Sequence, residues 1–278
     1  MKELTLTDIQ HESLNILQEV HDFCVSHGIQ YSMAYGTLIG AVRHKGFIPW
    51  DDDIDIVMPR PDYDRFFAEF TSKTLVAVSE KDKDSYLAFG RVIDTARTSC
   101  ETLIPHSKSG RGGVWIDVFP LDGATDSPEE FSSLIGRLKK LWIIQLRCRC
   151  AKNSWRGLFK LFTDFKGLLI FTVVKLSCLS GLILRKANRA LIAADRAIPW
   201  GATGHFAQMS VIDAGSKDYH EIEVFSSTVR LNFEGHEFLA MNGYDAFLRK
   251  IYGDYMQLPP EEDRVPKQSF IHFYWKDR

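Results

Sequence analysis

The stretch PWDDDIDIVMP, Pro49 to Pro59, sets four aspartates, Asp51, Asp52, Asp53 and Asp55, into five positions that lead directly into an apolar run. Like charges at this spacing repel, and a strand bound for a core does not normally carry them. Side chains alternate along a strand, so Asp53 and Asp55 share one face while Ile54, Ile56 and Met58 take the other and anchor the segment. A divalent cation between the carboxylates turns the repulsion into coordination. Oxygen ligands of this kind suit Mg²⁺ or Mn²⁺. An EF-hand is excluded, because the loop glycine and the closing glutamate are absent at the required spacing. A solvated acidic turn is the bland alternative, and it does not account for alternation that runs on into apolar residues.

Upstream, AYGTLIGAVRHKGFIPW supplies a Gly36-Thr37 turn that opens a short helix. Such a turn lets backbone N–H groups approach phosphate oxygens. Arg43, His44 and Lys45 follow as candidate phosphate partners. A Gly-Thr pair alone is a weak signal. Followed at this distance by alternating aspartates on a strand, it is the pattern of nucleotidyltransferase-like folds. Downstream, GGVWIDVFPLDG places Asp117 inside an apolar strand, where a charge needs a partner. Asp117 reads either as a third carboxylate of a metal site or as one half of a structural ion pair.

The rest of the chain is ordinary globular material. Its 278 residues are 45% hydrophobic and 25% charged, with a formal net charge of −2. That charge argues against a general nucleic-acid binder. The five cysteines, Cys24, Cys100, Cys148, Cys150 and Cys178, show neither a disulfide framework nor zinc spacing, which suits a reducing compartment. The opening MKELTLTDIQHES has no apolar core of a signal peptide, so the expected location is cytoplasmic.

Periodicity predicts a helix over Thr7 to His27, with Thr7 and Gln10 as its capping box. IQYSMAYG and DIDIVM read as strands, and RPDYDRFFAEF as a helix with Pro61 in its first turn. Further strands are expected at Leu75–Ser79, Tyr86–Ile93 and Val114–Val118. The fold class is therefore α/β (α+β): a mixed sheet flanked by helices, with residues 1–125 as catalytic core. Residues 126–200 read as a helical region, patterned through Glu129–Cys150 and Ser154–Ala197. Residues 201–278 carry a hairpin about Glu234–Gly235, a helix ending at Gly253 and a tail that completes the site. Within the helical region, Gly167–Leu184 is apolar with one charge, Lys175. It fits a buried helix or, given its basic fringe, a helix lying in the membrane interface. A true span is disfavoured by the mid-segment lysine.

YGTLIGAVRHKGFIPWDDDIDIVMPRPDYDRF, WIDVFPLDG and YGDYMQLPPEEDR together resemble the LicD family of phosphocholine transferases, which also includes fukutin-type ribitol-phosphate transferases. The resemblance implies a nucleotidyltransferase-like fold with added helices. It implies transfer of phosphocholine from a CDP-choline donor to a hydroxyl of a glycan precursor, of the teichoic-acid or lipopolysaccharide kind, with release of CMP. By position, Asp53 and Asp55 match the metal pair, Asp117 the third carboxylate, and Gly36 and Thr37 the phosphate turn; Asp51 extends the motif. On this basis Arg43 and Lys45 are expected to steady charge on the phosphates, with Arg91 as a further candidate. A quaternary ammonium is held by aromatic faces, and Tyr35, Trp50, Trp115, Phe119, Tyr252 and Tyr255 are the candidates, with Trp50, next to the acidic run, foremost and Tyr35 and Trp115 after it. The acceptor would be lipid-linked or at the surface, reached by peripheral contact with the membrane. Transfer of another CDP-activated alcohol phosphate, ribitol or glycerol, uses the same site, as does nucleotidyl transfer to a small acceptor. A membrane-surface binding module with a vestigial site is the non-enzymatic alternative.

Overall fold

A computed structural model describes residues 1–83, 85–102, 107, 109, 112–151, 180–265 and 271–276. Helix α1 spans Leu6–His27. Its capping box lies two residues earlier than the sequence reading placed it: the Thr5 hydroxyl accepts from the Asp8 N–H, and the Asp8 carboxylate accepts from the Thr5 N–H at 2.9 Å. Asp8 sits at the position that Gln10 was expected to fill. Gln10 reaches elsewhere, into the site described below. Ile16, Leu17, Val20 and Cys24 form the buried stripe.

The main sheet runs β1-β2-β6-β4-β3, where β1 is Ser32–Met33, β2 Asp55–Pro59, β3 Leu75–Val78, β4 Gly90–Asp94 and β6 Trp115–Gly123. Only β2 and β6 pair in parallel; the other pairs on this path are antiparallel. The parallel pair requires a crossover, and α3 (Arg60–Glu69) follows β2 to begin it. Helices α1 and α3 both pack on β6, and Phe23 of α1 meets Phe66 of α3 edge-on. Every residue of β6 is buried. This strand is longer than the predicted Val114–Val118 and runs through Pro120 to Gly123. Pro120 is tolerated because β4 pairs only as far as Val118, and β7 (His205–Ala207) takes over at Asp122, so the proline faces the gap between them.

Strand β1 is shorter than expected, because Tyr35 turns the backbone into a left-handed conformation (φ 48°) and starts α2, Tyr35–Ile39. The expected strand at Tyr86–Ile93 begins only at Gly90. Two pairings carried no sequence signal: β5 (Thr98–Thr102) with β11 (Ile271–Trp275), and β7 with β8 (Tyr219–Glu221). The expected hairpin is present as β9 (Thr228–Phe233) and β10 (His236–Met241). Glu234 and Gly235 both have positive φ, as a two-residue turn with the twist of the strands requires. Helix α4 covers Pro128–Ala151, α5 Ser180–Asp195 and α6 Tyr244–Tyr252. Most of Gly167–Leu184 lies outside the described residues, as do residues 154–179 of the expected second helical stretch. No described helix is long and apolar enough to cross a membrane.

Candidate active site

Strand register builds the site. In the β2–β6 ladder Asp55 lies opposite Asp117, and in the β6–β4 ladder Asp117 lies opposite Arg91. Residues directly opposite in a sheet point to the same face. Arg91, Asp117 and Asp55 therefore form a row across three adjacent strands. The Arg91 guanidinium donates from Nε to Asp117 Oδ1 at 2.5 Å and from Nη2 to Oδ2 at 3.3 Å. Arg91 is 6% exposed, and its Nη1 is buried without a partner. Its guanidinium plane lies 4.1 Å over the Trp115 ring and 5.6 Å from the Phe89 ring. Arg91 is thus a buried neighbour of the third carboxylate.

Two carboxylates, the buried Asp117 and the half-buried Asp55, lie in a row with this one arginine. Burial pushes the Asp55 carboxyl well above the usual carboxylate range, and Asp53, Asp117 and Asp51 push it further, with Arg91 opposing. Asp117 is also raised by burial, although the Arg91 charge and hydrogen bonds pull against that. The row favours a bound cation, because a cation relieves the cost of ionising both groups.

The acidic segment ahead of β2 adjoins the row. Ligand oxygens of Asp51, Asp52 and Asp53 lie within 4.8 Å of one another. The tightest group among the described residues is therefore this consecutive trio. Asp55 and Asp117 form a second pair beside it. Local chemistry holds the segment in place. The Gln10 amide donates to the Asp51 carbonyl at 2.8 Å, and the Asp55 N–H donates to the Thr37 hydroxyl at 2.9 Å. A Cβ at Gly36 would lie 2.5 Å from Asp51 Oδ2, so a larger residue there would displace the carboxylate from its present position. Gly36 and Thr37 thus shape the acidic loop directly. Gln10 was missed because its signal is tertiary: it lies 41 residues from the group it holds.

The other predicted residues divide. Arg43 donates from Nη1 to the Tyr255 carbonyl at 2.6 Å and to the Gln257 carbonyl at 3.2 Å, which ties α2 and the turn after it to the segment following α6. Lys45 is exposed, and its carbonyl accepts from the Glu234 N–H of the β9–β10 turn at 2.9 Å. Trp115 is buried between Arg91 and Phe273, and its side chain hydrogen-bonds to Asp117. Trp50 is half-buried with the Arg264 guanidinium 5.9 Å from its ring centroid, which brings the C-terminal tail next to the acidic loop. Tyr35 donates its hydroxyl to Asp218 Oδ2 at 2.6 Å and packs against Phe119 and Phe247. Asp218 comes from a stretch in which the sequence showed no motif.

Comparison with known proteins agrees with this arrangement. Residues 28–127 match the family model "LicD/FKTN/FKRP, nucleotidyltransferase domain", a span that contains α2, the acidic loop and the whole carboxylate row. The chain is 35% identical over 272 residues to "Lipopolysaccharide cholinephosphotransferase LicD" of Haemophilus influenzae, covering 96% of this chain and 97% of that protein. A shorter similarity, 46% identity over 41 residues, links it to the uncharacterized protein RP689 of Rickettsia prowazekii, over 15% of each chain.

Proposed function

The chain belongs to the LicD family, and from that premise we propose that it transfers phosphocholine from CDP-choline to a hydroxyl of a lipopolysaccharide-type glycan precursor, releasing CMP. The observation that carries this reading is the near full-length similarity to a protein named as a lipopolysaccharide cholinephosphotransferase. The carboxylate row supports the chemistry.

The donor set fits a hard divalent cation. It offers carboxylate oxygens, with no thiol or imidazole among the residues of the row or the acidic loop. Asp51, Asp53, Asp55 and Asp117 would hold Mg²⁺ or Mn²⁺. A bound ion supplies Lewis acidity and neutralises charge on the donor phosphates. The chain's own residues do the rest. Thr37 and Gln10 fix the backbone of the acidic loop, so its carboxylates meet the donor preorganised. Arg91 offers its buried Nη1 to a phosphate oxygen. Asp117, raised by burial, is suited to take the proton of the acceptor hydroxyl as it attacks phosphorus. The P–O bond to the choline-bearing phosphorus forms as the bond to CMP breaks. We place this work at the inner face of the cell membrane, with peripheral contact to a lipid-linked acceptor.

The test is incubation with CDP-choline labelled in the choline, a lipopolysaccharide acceptor and Mg²⁺. Label on the glycan with one CMP released per choline supports the reading. A nucleotide-modified acceptor with free phosphocholine, or no transfer from CDP-choline at all, overturns it.

A further inference from the structure

Asp218 is buried, with 2% exposure, just ahead of β8. One carboxylate oxygen accepts from the Tyr35 hydroxyl at 2.6 Å, and the other lies 3.2 Å from His220 Nε2. Among the described residues it forms no ion pair with a lysine or arginine; its one basic neighbour is His220. Its partners are a hydroxyl and an imidazole, so no permanently charged side chain among the described residues stands against this buried carboxylate.

The surroundings of Asp218 are aromatic and continuous with the carboxylate row. Phe119 follows Asp117 by two residues on β6, so both point to the same face. Its ring lies 4.6 Å from Phe89 and 5.9 Å from Tyr35. Tyr35 in turn packs 5.7 Å from Phe247, whose ring lies tilted 4.6 Å from that of His220. Tyr252 ends α6, the helix that packs on α2. Burial of its hydroxyl, and after it the charges of Asp55, Asp218, Asp51 and Asp53, raises its pKa. Tyr35 responds to burial first, then to Asp218, Tyr252 and Asp55. Tyr35 also keeps φ at 48°, an uncommon conformation for a bulky residue, which the fold holds at the junction of these groups.

An anionic group, aromatic walls and an adjoining phosphate-binding site match one kind of ligand: an alkyl phosphate ending in a quaternary ammonium. Aromatic faces attract such a cation, and most strongly where water is excluded. A neutral polyol would bring no positive charge to the carboxylate. We propose that Asp218, walled by Tyr35 and Tyr252, seats the trimethylammonium of the donor and selects choline over uncharged alcohols. This inference rests on the transferase reading above and specifies its donor site.

Equilibrium binding with CDP-choline and with plain CDP, both with Mg²⁺, tests it. Wild-type protein should bind CDP-choline at least about tenfold more tightly than CDP. Asp218→Asn should erase most of that preference and leave CDP affinity within about twofold. Tyr252→Leu should reduce it as well. Tyr252 is 45% exposed and hydrogen-bonds to no described residue, so this variant keeps the test decisive if Asp218→Asn fails to fold. Preference retained in the folded variants overturns the seat, while CMP release by wild-type protein shows that the transferase reading stands. A fall in kcat with the preference intact makes Asp218 a proton carrier and also overturns it. Wild-type protein that releases no CMP from CDP-choline overturns the transferase reading instead.

Discussion

Strand β6 carries two buried aspartates, Asp117 and Asp122, each bound to an arginine, yet their surroundings are opposite in kind. Around Asp122 the charges balance. Arg60 grips both its oxygens, with Nε at 2.8 Å, and lies 5.0 Å from the Tyr63 ring centroid. Glu80 accepts from the Tyr63 hydroxyl at 2.6 Å and from Arg196 at 2.7 Å. Asp64 accepts from Arg196 and from Lys81, at 2.7 Å and 2.9 Å for the same oxygen. Three carboxylates thus meet three cations. A fourth acid, Asp195, has both oxygens buried without a partner, and burial raises its pKa well above the usual carboxylate range. Around Asp117, by contrast, Asp55 stands alongside, and among the described residues one arginine, Arg91, faces the two. The balanced cluster is complete as it stands. The other is the one that the proposed cation would complete.

Substitutions sharpen the comparison. Asp55→Asn should have the largest effect: transfer falls by about three orders of magnitude, because a ligand for the cation is removed. Metal-free protein should meanwhile melt no lower than wild type, because a buried repulsion is relieved. A variant that keeps its activity would make the two clusters alike. At the balanced end, Arg60→Ala strands Asp122 and should cost about 3–5 kcal/mol in chemical denaturation. Loss of less than about 1 kcal/mol would mean that this cluster does not hold the strand.

Smaller effects follow. Gln10→Ala removes one tether of the acidic loop and should cost about 1 kcal/mol of stability. Activity should fall by about tenfold, and unchanged kinetics would show that the loop holds its shape without the tether. The smallest effect is in acid. Burial raises the Asp64 pKa, but hydrogen bonds from Arg196 and Lys81 prevail and bring it down to about 2 from 3.8. A depressed carboxylate contributes stability above its unfolded value and loses it as pH falls through the folded one. The contribution should fade between about pH 4 and pH 2 and amount to about 1 kcal/mol or less, because the side chain is 32% exposed. Arg196→Gln should flatten that part of the stability profile, and an unaltered profile would remove Asp64 from the account.

Much of the fold was legible because its signals were local. Alternation at Ile54, Ile56 and Met58 marked β2, the Pro61 helix start marked α3, and Glu234–Gly235 marked the hairpin. Misreadings arose where a neighbour decides. The capping box shifted to Thr5 because Asp8 can do at that position what a longer side chain does elsewhere. Strands β5 and β11 exist through each other, across most of the chain, and neither has a pattern of its own. In the site, spacing placed Asp53 and Asp55 near one another, but only register could place Asp117 beside Asp55 and Arg91 beside Asp117. Arg43 shows the limit of reading charge from sequence. A basic residue after a phosphate-type turn is held on two backbone carbonyls of the C-terminal segment. Gln10 and Asp218 stand outside every motif and reach Asp51 and Tyr35, respectively, only through the fold.

The most direct test is a calorimetric titration of Mg²⁺, with CDP-choline present, into wild-type protein and into Asp55→Asn. Saturable binding to the wild type that disappears in the variant is the expected result. Equal binding by both proteins, or none by the wild type, would contradict the claim that the carboxylate row exists to hold a cation.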